Sequence, residues 1–287
     1  MDFELSDEQR DVQKAAREFA QGEFDPDLAK EMDQSSQFPE AIWKKASKLG
    51  FIGMHYPEEF GGQGLGFFEN VLVMEAFCRV DSGIGSALST VDIGSDIILK
   101  FGSKEQKKAF LLPLTKGEKR LSGAFGESGN GKDPSTIAER KGDEYLIHGE
   151  KKFVLNASLA NDFVIPFKEP KEDWITLIVE KKAGIQVQPV EKMGLRMIPF
   201  GDLQIKGVQV PLGRRVGREG EGIAQSDHFR QAMGLRNAAQ ALGIAQGAFD
   251  RAMQYAKQRE QFGRKLSQFQ AIRHKLSDMV VGIEVAR

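Results

Sequence analysis

The residues with the most evident chemical potential form a glycine-rich string, Gly126-Glu127-Ser128-Gly129-Asn130-Gly131-Lys132-Asp133. It satisfies the Gly-x-x-x-x-Gly-Lys portion of a phosphate-binding loop, in which backbone amides cradle phosphates and a lysine reaches their outer oxygens. The next position breaks the pattern. Magnesium needs a Ser or Thr hydroxyl there, whereas Asp133 sets a carboxylate against the phosphate oxygens and Pro134 follows. Without a helix N-terminus after it, the string lacks the dipole and amides of a nucleotide site. Turns between sheet elements explain its glycines better, and a P-loop-like nucleotide binder is a remote alternative. A second string, Tyr56-Pro57-Glu58-Glu59-Phe60-Gly61-Gly62-Gln63-Gly64-Leu65-Gly66, precedes a helix without following a strand, so it reads as a loop rather than a dinucleotide fingerprint. His55, His148, His228 and His274 show neither an HExxH nor a paired spacing, which suggests neither zinc nor a hydrolytic triad. The single cysteine, Cys78, follows the apolar stretch Val71 to Phe77; a buried thiol and a reducing, cytoplasmic compartment are expected.

Composition bounds the elements that must position such residues. The chain has 287 residues, 40 Lys+Arg against 41 Asp+Glu, and 40% hydrophobic residues, enough for sizeable cores in about two domains. A net charge of -1 lacks the basic excess that binding nucleic acid requires, and no apolar run approaches the roughly 20 residues of a membrane span. Met1-Asp2-Phe3-Glu4 is acidic and has no targeting character.

Start and stop signals bracket helices over roughly the first 120 residues. Ser6 with Gln9 forms a capping box, repeated by Ser103 with Gln106. Pro39 opens a helix that Gly50 ends, and Pro113 with Gly117 is expected to close the one begun at Ser103. The period then changes. Leu121 to Phe125, Tyr145 to His148, Lys152 to Asn156, Phe163 to Phe167, Trp174 to Val179, Ile185 to Val190 and Leu203 to Val210 read as short strands without intervening helices, implying an antiparallel sandwich or barrel. From about Gly222 the helical period returns. Ala238, Ala241, Ala245, Ala248 and Ala252 form a small-residue stripe expected to let helices approach closely. Ile272, Leu276, Met279 and Ile283 form an apolar stripe with no later partner in the chain, and the helix looks cut at Arg287. The expected class is α+β multidomain, with an N-terminal helical domain (1–118), a middle β-domain (119–215) and the start of a C-terminal helical bundle (216–287).

In that order of layers the chain resembles the acyl-CoA dehydrogenase family. The matching words run over nearly its whole length: Tyr56 to Gly64, Gly102-Ser103-Lys104-Glu105-Gln106-Lys107, Leu112-Pro113-Leu114 with Gly117-Glu118, Gly149-Glu150-Lys151-Lys152-Phe153, Met193-Gly194-Leu195-Arg196, Val208-Gln209-Val210-Pro211, Gly217 to Gly222, and Arg259-Glu260-Gln261-Phe262-Gly263 with Gln268-Phe269-Gln270. The resemblance implies an FAD enzyme that removes hydrogens from the α and β carbons of an acyl-CoA thioester and passes electrons to an electron-transfer flavoprotein. It places the flavin against the segment containing Phe125, Gly126, Gly131 and Lys132, and against Phe153 and Leu155. Arg259, Gln261, Phe262 and Gln270 would meet the FAD of a neighbouring subunit in a homo- or hetero-oligomer, a dimer or tetramer. Lys132, Gln231 and Gly234 fall at substrate-binding positions.

The chain also departs from the family's pattern. Gly126 stands where a Thr usually binds the flavin pyrimidine, Lys132 where a Ser precedes Asp, Leu155 where a Thr faces the reactive edge, and Gly234 where an Arg is usual. The usual catalytic Glu belongs either beyond Arg287 or at Met233, and neither position supplies one in this chain. Asp227 is a weak substitute. A catalytically silent or flavin-poor subunit of a heteromer is the alternative these losses permit.

Overall fold

The computed structural model describes residues 4–127, 136–170, 173–182 and 184–287. Seven helices come first: α1 (Asp7–Glu23), α2 (Pro26–Ser35), α3 (Glu40–Lys48), α4 (Phe67–Val80), α5 (Ser82–Leu88), α6 (Ser95–Phe101) and α7 (Lys104–Thr115). Both expected capping boxes form, at Ser6 and Ser103, satisfying amides that a helix start otherwise leaves unpaired. Pro113 corrects the reading of α7, because the helix continues through it for two more residues before Gly117 turns the chain at φ 67°. Phe19, Phe24, Phe51 and Phe77 pack ring against ring in the middle of this layer. Cys78 is buried on α4.

The strands are β1 (Leu121–Gly123), β2 (Ile137–Lys141), β3 (Glu144–Leu155), β4 (Asp162–Glu169), β5 (Asp173–Glu180), β6 (Ile185–Val190), β7 (Phe200–Pro211) and β8 (Arg215–Val216). They form one sheet in the order β6-β7-β3-β2-β4-β5-β8, with β1 paired to β4. Most pairs are antiparallel, but β4 pairs parallel with β1 and β2, so the sheet is mixed. Two expected strands merge into β3, which bulges between Lys151 and Val154. A second core lies within this sheet, and a third, around Ile97, Leu111, Val164 and Ile178, joins it to the helices.

The 37-residue helix α8 (Gly222–Gln258) then crosses both layers, followed by the hairpin β9 (Glu260–Gln261) and β10 (Arg264–Lys265), and by α9 (Gln270–Ala286). The close approach to α4 is made by Gly243 and Gly247, whose added Cβ atoms would lie 2.4 Å from the Glu75 carbonyl oxygen and 2.2 Å from that of Arg79. Ala238, Ala241, Ala245 and Ala248 of the alanine stripe line the outer groove toward α9 instead. Of the apolar stripe on α9, Leu276 and Ile283 are buried within the chain, whereas Met279 is exposed. No helix among the described residues is long and apolar enough to cross a membrane.

Candidate functional site

Two segments converge where β1 leaves the sheet. Lys152 N–H donates to the Gly126 carbonyl at 3.0 Å, and a Cβ on Gly126 would lie 2.4 Å from the Lys152 carbonyl oxygen, so only glycine permits this approach. The β3 bulge re-aims the next residue. Phe153 adopts φ 52° and leaves its ring 67% exposed. The Asp202 carboxylate holds it there by accepting from Phe153 N–H at 3.0 Å and from Lys152 Nζ at 2.9 Å. Burial alone would raise the Asp202 pKa; these two donors outweigh it and keep the carboxyl below its usual range. Leu155 packs against the helical core, and its carbonyl accepts from Ser122 Oγ at 2.5 Å. Asn156 ties the end of β3 to that layer, donating from Nδ2 to the Thr90 carbonyl at 2.9 Å. Phe125 stacks on Phe229 of α8, with centroids 3.8 Å apart and planes at 8°.

Phe125, Gly126, Phe153 and Leu155 are therefore brought to one place. Gly131 and Lys132 lie outside the described residues. The chain resumes at Thr136 and enters β2, a strand where a phosphate-binding loop would need a helix, so the P-loop-like alternative is corrected. Glu127, from the same string, accepts from Thr136 Oγ1 at 2.8 Å and from Lys151 Nζ. Lys151 is sealed from solvent, and burial lowers its pKa to about 8 against the opposing pull of Glu127.

The remaining predicted residues fall elsewhere. Arg259, Gln261, Phe262 and Gln270 are exposed around the β9–β10 hairpin, whose turn holds Phe262 at φ 52° and Gly263 at φ 74°. The Phe262 ring is 93% exposed. From Phe229 to this hairpin, α8 runs roughly 40 Å at its rise per residue. One chain thus does not bring the two sets together. Gln231 and Gly234 lie on the exposed face of α8, with nothing within 4 Å of an added Cβ at Gly234. Asp227 pairs with Arg230 one turn on.

Sequence reasoning missed the buried cluster on the opposite face of α8. Arg236 donates to Asp92 and Asp96; Tyr56 Oη donates to Asp92 at 2.9 Å, and His55 Nε2 lies 3.3 Å from Asp96. Burial penalises the Asp96 charge, yet Arg236 and His55 more than offset it and hold the carboxyl well below its usual range. Burial and the two carboxylates together push the Tyr56 hydroxyl upward. The only signal was polar residues, Asp92 and Asp96, one turn apart in an apolar run.

A flavin ring requires a flat apolar contact and hydrogen-bond donors at its polar edge. The exposed Phe153 ring provides the first. Gly126 N–H, which donates to no described residue, provides a donor beside it. The residues present fit FAD through stacking and backbone donation, without the hydroxyls at positions 126 and 155.

The family model for the acyl-CoA dehydrogenase N-terminal domain matches residues 6–118, the middle-domain model residues 124–208 and the C-terminal-domain model residues 220–287. The chain is 36% identical over 299 residues to the short-chain specific acyl-CoA dehydrogenase of Clostridium acetobutylicum, covering 100% of this chain and 78% of that protein. It is 35% identical over 294 residues to the caffeyl-CoA reductase-Etf complex subunit CarC of Acetobacterium woodii, covering 99% and 77%. An acyl-CoA dehydrogenase of Bacillus anthracis, solved complexed with FAD, superposes with a TM-score of 0.89 at 31% identity, covering 99% of this chain and 51% of that one.

Proposed function

Because the chain belongs to the acyl-CoA dehydrogenase family, we propose that it holds FAD against Phe125, Gly126, Phe153 and Leu155 and acts in the α,β-dehydrogenation of an acyl-CoA thioester. The observation that carries this reading is the meeting of Gly126 with the outward-held Phe153 at the β3 bulge. When bound, FAD supplies the acceptor for the hydride that leaves the substrate's β-carbon. The chain's own residues bind and orient. Phe153 gives the flavin ring a stacking surface, Asp202 and Lys152 fix that ring's direction, and Gly126 N–H donates to the polar edge. Phe229 backs Phe125, and the Arg236 cluster keeps α8 docked so that this backing holds.

Among the described residues, the carboxylates around these segments are each engaged by a cation. Glu127 is engaged by Lys151, Asp202 by Lys152, Asp92 and Asp96 by Arg236, and Asp227 by Arg230; Met233 has no basic atom. Lys132, Gln231 and Gly234 are the proposed substrate contacts. Arg259, Gln261, Phe262 and Gln270 meet the FAD of a neighbouring subunit, for which an exposed hairpin far along α8 is suited. An electron-transfer flavoprotein is the electron partner, a choice supported by the relative named for its Etf complex.

Purification of the full product tests the reading. A flavin spectrum that bleaches with one of a panel of acyl-CoAs is expected. Protein that stays colourless after incubation with FAD overturns it.

A further inference from the structure

Glycine is the residue least able to hold one direction by itself, yet the Gly126 N–H must hold one to serve as a donor to the flavin. What fixes it lies on either side. Before it, Ala124 N–H donates to the Val164 carbonyl at 2.9 Å, and Phe125 is stacked on Phe229. After it, the Gly126 carbonyl accepts from Lys152 N–H, and the Glu127 carboxylate accepts from Lys151 Nζ and Thr136 Oγ1. Consecutive residues of one segment are thus bonded to consecutive residues of β3, Gly126 to Lys152 and Glu127 to Lys151. A single bond would leave a pivot; two fix a direction. The Lys151 side chain has no exposed surface and that of Glu127 only 13%. Burying this charge is costly, and an apolar side chain of similar length would fill the space without the cost, so stability alone does not account for a lysine here.

Resting on the FAD reading above, we propose that Lys151 and Glu127 are positioning residues, a buried ion pair that fixes the direction of the Gly126 N–H toward the polar edge of the flavin. The hold depends on the Lys151 charge. Among the described residues the charged group acting on Lys151 is Glu127: β7 sets Leu203 opposite it, and Glu150, Lys152 and Asp202 pair among themselves. Burial brings the Lys151 pKa down to about 8. Below that pH the pair holds; above it the neutral amine loses its grip on Glu127 and the segment is left with the Lys152 bond. FAD binding, which favours the charged form, should therefore weaken as pH climbs past about 8.

Two measurements test the pair, one of them without FAD. The chain has five Phe-Gly steps, so labelling with [1-¹³C]phenylalanine and [¹⁵N]glycine selects five carbonyl–nitrogen correlations, and Phe125→Leu identifies that of Gly126. In the apo full chain this correlation should move with a midpoint near pH 8 and stay in place in Lys151→Met and in Glu127→Gln. Titration with FAD, followed by flavin fluorescence, should then show the wild type binding about tenfold more tightly than either variant at pH 7, the share of one charge-assisted hydrogen bond. That advantage should be gone at pH 10, and the comparison cancels any ionisation of the flavin itself. A wild-type Gly126 correlation that does not move between pH 7 and pH 9.5 overturns the clamp without recourse to a variant. Wild type and variants that bind FAD equally at pH 7 overturn the positioning role alone, whereas a wild-type chain that binds no FAD at any pH overturns the FAD reading and this role with it.

Discussion

Arg236 donates from Nη1 to Asp92 Oδ1 at 2.9 Å, with side chains only 1% and 6% exposed, joining residues 144 apart in the chain. Asp92 also accepts from Tyr56, and Asp96 faces both Arg236 and His55. The contact fixes α8 to the loop and helix ahead of the sheet at a point where apolar packing alone would permit sliding. Burying these charges carries a large desolvation cost, so their mutual compensation decides whether the docking is stable.

Replacing one partner alone should therefore be severe. Arg236→Leu leaves two buried carboxylates without their cation and is expected to destabilise the chain by about 3–5 kcal/mol. Adding Asp92→Asn and Asp96→Asn should recover much of that loss. Urea unfolding of the single and triple variants decides it, and equal stabilities would show that the ion pairs do not carry the docking.

Lys151 gives the alkaline dependence. Its folded-state pKa, about 8, lies below the unfolded value, so the folded chain loses the proton first. The burial penalty is fully present below pH 8, and stability rises as pH climbs from about 8 toward about 10.4, by roughly 1 kcal/mol per pH unit inside that window. The stability of the wild-type chain should accordingly gain on that of Lys151→Met between pH 8 and 10. A constant difference between them would contradict the shift.

Much of the scaffold was readable because its signals are local. Ser6 and Ser103 each needed only a residue three positions on to cap a helix. Ile137 to Lys141 escaped notice as a strand because four of its five residues are exposed and three are charged, removing the apolar run that marks a strand. Tertiary contacts decided the rest. The alanines of α8 were the visible small residues, but Gly243 and Gly247 make the close contact because their face meets α4. The site followed only from the resemblance: its proposed donor is a main-chain amide, and its orienting group, Asp202, is 49 residues from Phe153.

The glycines of α8 should respond oppositely to alanine. At Gly243 a Cβ would lie 2.4 Å from the Glu75 carbonyl oxygen, and backbone cannot rotate aside, so Gly243→Ala should cost about 1–3 kcal/mol. At Gly234 nothing stands within 4 Å, and Gly234→Ala should stabilise the helix by about 0.5–1 kcal/mol. Thermal unfolding of the two variants should move in opposite directions from the wild type. A shared direction would mean that the α4–α8 contact is looser than this geometry.

Phe153 separates folding from cofactor binding. With 67% of its surface exposed, the side chain contributes little to any core, so Phe153→Ala should change stability by no more than about 0.5 kcal/mol. Its loss removes the proposed stacking surface, and aromatic contact of this kind is worth about 0.5–1.5 kcal/mol beyond its buried area, which predicts roughly tenfold weaker FAD binding. Asp202→Asn keeps an acceptor for the Phe153 amide but loses the charge that holds Lys152, and should weaken binding less. Titrating apoprotein with FAD and following flavin fluorescence gives all three affinities. Equal affinity for the wild type and Phe153→Ala would remove Phe153 from the site, while a Phe153→Ala chain that unfolds would assign it to the core.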